Sequence, residues 1–228
     1  MPSSDKDFIP NQVFVGLPSK NVRPKYEKVF ERLKMKFPTH FAIVGRDDGQ
    51  SADDLFTVIK NRIDSSSFAI FDATRGNPNV SLEYGYAEGR GIERAIYLST
   101  HKGARTPDDT PIISDLIGRR RVQYKNKGTL VKELSRFCKS HPYTVRYEKA
   151  LKAITKGLKK GPKKSLRTLT LKIIHELDGR ELVRRREVIQ NVQAKGYSES
   201  EIDEALRQLH HEKILNCSPG RMSNVTLT

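Results

Sequence analysis

The stretch Phe68-Ala69-Ile70-Phe71-Asp72-Ala73-Thr74-Arg75-Gly76-Asn77-Pro78-Asn79-Val80-Ser81-Leu82-Glu83-Tyr84-Gly85-Tyr86-Ala87 decides how the first part of the chain folds. Its first four residues are apolar without alternation, as a strand buried on both faces of a parallel sheet requires. A polar loop follows, and Val80 to Gly89 reads as a helix with Asn79 as its N-cap. The same alternation of short apolar runs and helical segments extends to both sides. Val13-Phe14-Val15-Gly16-Leu17 reads as the first strand, and Arg23 to Lys36 as a helix with Val29, Phe30, Leu33 and Phe37 on one face. Phe41 to Val44 reads as a second strand, Ala52 to Ile63 as a helix, Ala95 to Leu98 as a strand and Arg121 to Tyr124 as an edge strand. Thr129 to Cys138 closes the series as a helix. Strands separated by helices predict an α/β fold, a Rossmann- or flavodoxin-like parallel sheet, over residues 1–145.

The chain then changes character. From Arg146 through Arg167 nine Lys or Arg stand against one acid, Glu148, and Gly161-Pro162 interrupts the run, so residues 146–166 read as a basic linker. Beyond it, Leu169 to Leu177, Arg186 to Ala194 and Ser200 to Ile214 read as three helices. The turn Asn216 to Arg221 and the β-prone Asn224 to Leu227 then complete a winged helix-turn-helix pattern over residues 167–228.

Composition limits the function classes. Hydrophobic residues at 36% and charged residues at 30% fit a chain that buries a core rather than a disordered one. The start Met1-Pro2-Ser3-Ser4-Asp5 lacks the features of a signal peptide and no apolar run is long enough to span a bilayer, so a cytoplasmic protein without membrane contact is expected. Cys138 and Cys217 are far apart, with no C-x-x-C pattern, and none of the six His has metal-ligand spacing, so neither disulfide nor metal is expected. There is no G-x-G-x-x-G fingerprint and no P-loop, which disfavours dinucleotide redox and P-loop chemistry, and no cofactor is expected. The formal charge of +15 points to a polyanionic partner, with nucleic acid expected.

In open parallel sheets, ligands bind beyond the carboxyl ends of the strands. Three loops there hold the candidate residues: Gly16, Leu17 and Pro18 after the first strand, Asp48 after the second, and Asp72 to Asn79 after the third. Glu83, one turn into the following helix, is four residues from Asn79 and so is not a capping-box partner. A helix Glu is usually a solvated carboxylate; here Gly85 and Ala87 are expected to bring the helix close to the sheet.

The pattern Phe68-Ala69-Ile70-Phe71-Asp72 followed by Asn77-Pro78-Asn79-Val80-x-x-Glu83-x-Gly85-Tyr86-Ala87 resembles the nucleoside 2-deoxyribosyltransferases and their TIR-like relatives. The resemblance covers most of residues 11–100. It implies cleavage or exchange at an N-glycosidic bond, with Glu83 as nucleophile or as the anion beside an oxocarbenium-like centre. It further implies that Asp72 binds or protonates the base, and that Tyr26 or Tyr86 orients Glu83. Asn77 and Asn79 join Gly16, Leu17, Pro18 and Asp48 as substrate contacts. Gly76-Asn77-Pro78-Asn79 replaces the acidic and Gly-Thr turn of the classical transferases, which leaves nucleoside, nucleotide and NAD open as substrates.

The two-part layout is similar to the ribosyltransferase/DNA-binding effectors that accompany bacterial retrons. That likeness implies an antiviral toxin and a reverse-transcriptase partner, while the likeness to the transferases, whose sites are commonly completed across a subunit interface, implies a homo-oligomer. The expected nucleic-acid contacts are Lys159, Lys160, Lys163 and Lys164 of the linker, Arg184, Arg185 and Arg186, and Arg221 at the wing turn. Acids at Glu199, Glu201, Asp203 and Glu204 oppose phosphate binding by the third helix. The alternatives are a non-catalytic, nucleotide-sensing DNA-binding regulator, or a module that docks protein.

Overall fold

The computed structural model describes residues 8–18, 22–44, 52–74, 76–101, 121–157, 163–218 and 223–228. The chain divides into two compact units. One comprises Gln12–Leu33 and Phe41–Phe137; the other comprises Met1–Asn11, Lys34–His40 and Cys138–Thr228.

The elements of the α/β part run β1 (Ile9–Gly16), α1 (Arg23–Lys34), β2 (His40–Ala42), α2 (Ala52–Asp64), β3 (Ser66–Asp72), α3 (Pro78–Gly89), β4 (Arg94–Ser99), β5 (Arg121–Tyr124) and α4 (Lys127–Ser140). The five strands form one sheet in the order β2-β1-β3-β4-β5, the flavodoxin-like order. β3 pairs with β4 in parallel, Phe71 opposite Ile96, and β4 pairs with β5 in parallel, Tyr97 opposite Val122. The α/β fold expected from the sequence is therefore present, with β3 at the centre and β5 at an edge.

The central position of β3 accounts for its uninterrupted apolar run. Ala69, Phe71 and Ala73 pack in one cluster with Phe14 of β1, Ile63 of α2 and Val80, Tyr84 and Ala87 of α3. Side chains alternate along a strand, so Ile70 and Asp72 face the opposite side of the sheet. Strand order reverses between β1 and β3, which makes the carboxyl ends of these two strands the crevice where such folds take ligands. Gly16 ends β1 and Asp72 ends β3.

The second unit carries α5 (Pro142–Gly157), α6 (Lys163–His175), β6 (Val183–Arg184), α7 (Arg185–Gln193), α8 (Glu199–His211), β7 (Leu215–Cys217) and β8 (Asn224–Leu227). Its three short strands are antiparallel in the order β6-β8-β7. α5 corrects the sequence reading: the first part of the expected linker is helical. Tyr143, Tyr147, Ala150 and Leu151 of α5 lie in one core with Ile173, Ile174, Leu177, Val188, Ile202, Leu206 and Leu209. They recur every three to four residues, so one face of α5 is committed to that core. α8 begins with a capping box in which the Ser198 side chain accepts from the Glu201 N–H and the Glu201 side chain reaches back to Ser198.

Within this unit Asp178 is a buried junction. It accepts from His175 Nδ1 at 2.8 Å and from Asn11 Nδ2 at 3.1 Å, with His40 Nδ1 at 3.5 Å and Lys34 Nζ at 3.6 Å. Burial alone would raise its pKa, but the hydrogen bonds and charges of His175 and His40 outweigh it and hold the carboxyl well below its usual 3.8. A carboxylate with a lowered folded-state pKa stabilises the fold above the unfolded value, and that contribution disappears as pH falls below it. Asp178→Asn is thus expected to lower the melting temperature at pH 7, with the gap to wild type shrinking as melts are repeated below pH 3.8. A gap independent of pH would reject the charge as its cause.

Candidate active site

α3 is placed by its N-terminus. Asn77 caps the helix, its side-chain oxygen accepting from the N–H groups of Asn79 at 2.9 Å and Val80 at 3.4 Å. Pro78 occupies the first turn, where a missing N–H costs nothing. Asn77, not Asn79, is therefore the cap, and the helix starts two residues earlier than expected. Gly76, at φ +56°, turns the chain into it.

Val80, Tyr84 and Ala87 form the buried stripe of α3, and Glu83 sits at its border. The Glu83 carboxylate reaches the end of β1, where a Cβ on Gly16 would come within 2.5 Å of Oε2 and 2.7 Å of the Phe71 ring. Gly16 is thus the residue that admits the carboxylate, since any side chain there would displace it. Glu83 Oε2 is enclosed and has no hydrogen-bond partner among the described residues. Burial without compensation pushes the carboxyl from 4.5 up to about 7. Phe71 beside it packs edge-on against Tyr84 at 5.4 Å, which fixes an apolar wall. An acid held near neutrality by an apolar environment is the state that active sites arrange for acid–base or nucleophilic work.

Asp72 is the opposite case. It is fully buried and its oxygens are occupied: Oδ2 accepts from the hydroxyls of Tyr26 at 2.8 Å and Tyr124 at 2.6 Å, and Oδ1 from the Thr74 N–H at 2.8 Å. Both tyrosines are pushed to higher pKa, first by burial and then by the Asp72 charge, so they remain hydroxyl donors. Asp72, expected to meet a base, lies on the sheet face away from Phe71 and has both carboxylate oxygens accepting from protein donors. Thr74 extends the arrangement, its Oγ1 accepting from the Ser99 N–H at 2.9 Å.

The orienting role expected of Tyr26 or Tyr86 is corrected too. Tyr26 serves Asp72, and the Tyr86 hydroxyl donates to Asp64 Oδ2 at 2.8 Å, where Arg90 holds the other oxygen at 2.8 Å. Gly85 is exposed with open space where a Cβ would stand, so it does not bring α3 to the sheet; Ala87, fully buried, does.

Of the other expected contacts, Gly16 meets Glu83, and Leu17 and Pro18 follow it at the strand end, half-buried and buried. Asn77 is spent on capping, and Asn79 is exposed on the first turn. Asp48 lies outside the described residues. So do Lys159, Lys160 and Arg221. Lys163 and Lys164 open α6, but their side chains are outside the description. Arg185 donates to Asp203 Oδ1 at 2.9 Å and is not free, whereas Arg184 and Arg186 are exposed. Tyr124 and Phe71 were missed as site-forming residues. Tyr124 ends an edge strand whose pairing partner no sequence pattern specifies, and Phe71 reads in sequence as one core residue among four.

Among the described residues no cluster of His, Cys, Asp and Glu could hold a metal ion, and no helix is long and apolar enough to cross a membrane. Burial pushes the Cys138 thiol up to about 12, which leaves it unreactive.

No protein-family model matches the chain, and comparison with curated proteins gives no match. Among solved structures, the chain is similar to a 2-deoxyribosyltransferase from Leishmania mexicana at 13% identity, covering 58% of this chain and 99% of that one, with a TM-score of 0.44. It is also similar to a CMP N-glycosidase from Clostridium botulinum at 15% identity, covering 55% and 98%, with a TM-score of 0.38. These are distant likenesses.

Two stability measurements check the contrast between the carboxylates. Because the Glu83 pKa is raised, the folded state loses stability as pH climbs from 4.5 through about 7, by roughly 3 kcal/mol in total. Glu83→Gln is expected to melt higher than wild type at pH 8 and at about the same temperature at pH 4; equal melting temperatures at both would reject the uncompensated burial. Tyr124→Phe, which strips one donor from Asp72, is expected to cost about 1.5–3 kcal/mol in denaturant unfolding at pH 7.

Proposed function

We propose that the α/β unit cleaves or exchanges the N-glycosidic bond of a nucleoside or nucleotide, NAD included, with Glu83 as the group that meets the sugar. The observation that carries this reading is the enclosed, unpartnered Glu83 Oε2 lodged against Gly16 at the carboxyl end of β1. An anion without protein partners in an apolar niche gains most from a cation arriving beside it. Such a cation develops on the anomeric carbon when the bond to the base breaks and the bonding electrons leave with the base. Glu83, ionised, either bonds to that carbon or holds its charge; water or a second acceptor then attacks the carbon, breaking the Glu83 bond where one formed, and the proton it releases balances the one taken up by the departed base. The resemblance of the motif around Glu83 to the transferases supplies the bond class, an N-glycosidic one.

Asp72 has no part in touching substrate in this reading. With Tyr26, Tyr124 and Thr74 it fixes the end of β3 and the start of the loop leading to α3, and so acts as a positioning residue.

In the same proposal the second unit begins before Pro142 and is a winged helix-turn-helix. The order α6, β6, α7, α8, β7, β8, with β6 and β7 flanking β8, supports that assignment. Its proposed partner is nucleic acid, because the chain carries a net charge of +15. The defence role and the reverse-transcriptase partner belong to the proposal through the motif resemblance alone.

The test is chromatographic. Incubating the full chain with deoxynucleosides, nucleoside monophosphates and NAD is expected to release free base from one of these classes, and Glu83→Gln is expected to lower that rate at least 100-fold with the fold intact. For a nucleophilic Glu83, the rate at low substrate should rise about tenfold per pH unit up to about 7 and level off above it. Tight binding of a nucleotide without base release would replace the enzyme with a sensor.

A further inference from the structure

The notable feature of the second unit outside the proposed active site is the outer face of α5. Tyr143, Tyr147, Ala150 and Leu151 turn one side of this helix into the core. The opposite side exposes Arg146, Lys149, Lys152 and Lys156. At spacings of three, three and four residues they lie on one face, and at 1.5 Å per residue they span about 15 Å.

The one acid on the helix, Glu148, is taken by Arg167, which donates to Oε2 at 2.9 Å and to Oε1 at 2.5 Å. Among the described residues none of the four cations pairs with a carboxylate; Arg146 alone has a further contact, over the Tyr143 ring at 5.2 Å. A row of like charges on one helix face is destabilising by itself, and a polyanion relieves it.

α8, the element a helix-turn-helix would present to DNA, has the wrong charge. Its first turn carries Glu199 and Glu201, both exposed, and Glu204 follows, also exposed. Arg185 is bound to Asp203, and Arg207 of α8 lies 4.0 Å from Glu204. Acids therefore outnumber cations on α8, whereas the exposed charges of α5 are all positive.

We propose that the outer face of α5, rather than α8 or the Gly161-Pro162 linker, is the nucleic-acid-binding surface of this protein, gripping a phosphodiester backbone through Arg146, Lys149, Lys152 and Lys156. This rests on the nucleic-acid reading above and is independent of the glycosidic chemistry. Phosphates recur every 3.4 Å along each strand of a duplex, so a row of about 15 Å faces four or five of them. Lys and Arg on a single face contact backbone and not base edges, so binding is indifferent to sequence. A membrane surface fits less well. An interfacial helix must bury its apolar side in lipid, and the apolar side of α5 is already in the protein core; Val145 and the small Ala153 are the exposed apolar residues beside the cations.

The experiment uses the full chain with fluorescein-labelled single-stranded DNA, duplex DNA and RNA of equal length, read by anisotropy over a salt series. Replacing Arg146, Lys149, Lys152 and Lys156 together by Gln is expected to weaken binding at least tenfold at about 0.1 M salt and to flatten the slope of log affinity against log salt by about 3. Replacing the three lysines by Arg should keep both. All four side chains are exposed, and melting curves verify that the variants fold. Gln at Lys159, Lys160, Lys163 and Lys164 should change binding less than the α5 variant does. If instead that second variant loses binding and the α5 variant keeps it, the assignment to α5 is overturned while the nucleic-acid reading stands. If wild type binds none of the three probes, or prefers phosphatidylserine vesicles to all of them, both are overturned.

Discussion

The carboxyl end of the sheet depends on one buried carboxylate. Asp72 ends the central strand and gathers the hydroxyl of Tyr26 from α1, the hydroxyl of Tyr124 from the edge strand and the N–H of Thr74 from the loop that follows. A charge without water persists only when protein donors replace the solvent, and here three donors from three directions do so. The loop after β3 therefore starts from a fixed point. Thr74 carries the constraint onward to β4 through the Ser99 N–H, and Asn77 and Pro78 start α3 a few residues later.

That fixed start is what makes Glu83 informative. Two carboxylates lie at the same end of one sheet, on opposite faces, in opposite environments. Asp72 has every oxygen occupied and stabilises the fold; Glu83 has an enclosed oxygen with no partner and weakens it at neutral pH. The protein carries the second at a cost of roughly 3 kcal/mol, a sizeable fraction of the stability of an ordinary domain. Gly16 shows that the arrangement is built into the backbone, because the strand end has no side chain where Glu83 needs room. In the proposed reading, a carboxylate kept at such expense, at the strand reversal where this fold takes ligands, is the group that meets the sugar.

Much of this was legible in the sequence. The apolar run Phe68 to Phe71 placed the central strand and Val80 to Gly89 placed most of α3, because local composition dictates local structure there, while Glu83 stood out through the resemblance of its motif to the transferases. What could not be read was which polar groups meet. The resemblance to the transferases implied a substrate contact for Asp72, and nothing in its own sequence neighbourhood says which donors it meets. Its partners Tyr26 and Tyr124 are separated from it by about fifty residues in either direction, and hydrogen bonds between such distant segments leave no spacing signal. Gly85 misled for a related reason: a helix glycine suggests close packing, but only its angular position relative to Val80, Tyr84 and Ala87 tells which side it is on.

α5 is a different kind of miss, since its signal was present and outweighed. Tyr143, Tyr147, Ala150, Leu151 and Ile154 recur at helical spacing, and Pro142 is well suited to a first turn. The density of Lys and Arg made the same segment look like a tether. Both features belong to one amphipathic helix, with aromatic and aliphatic residues on its core face and cations on its outer face. The distinction has a physical consequence. Cations on a flexible tether follow a polyanion's shape at an entropic cost, whereas cations on a packed helix are already ordered and present a fixed row. Rigidity makes the outer face of α5 a surface with a defined direction, so a polyanion bound as proposed would be oriented relative to the core of its own unit.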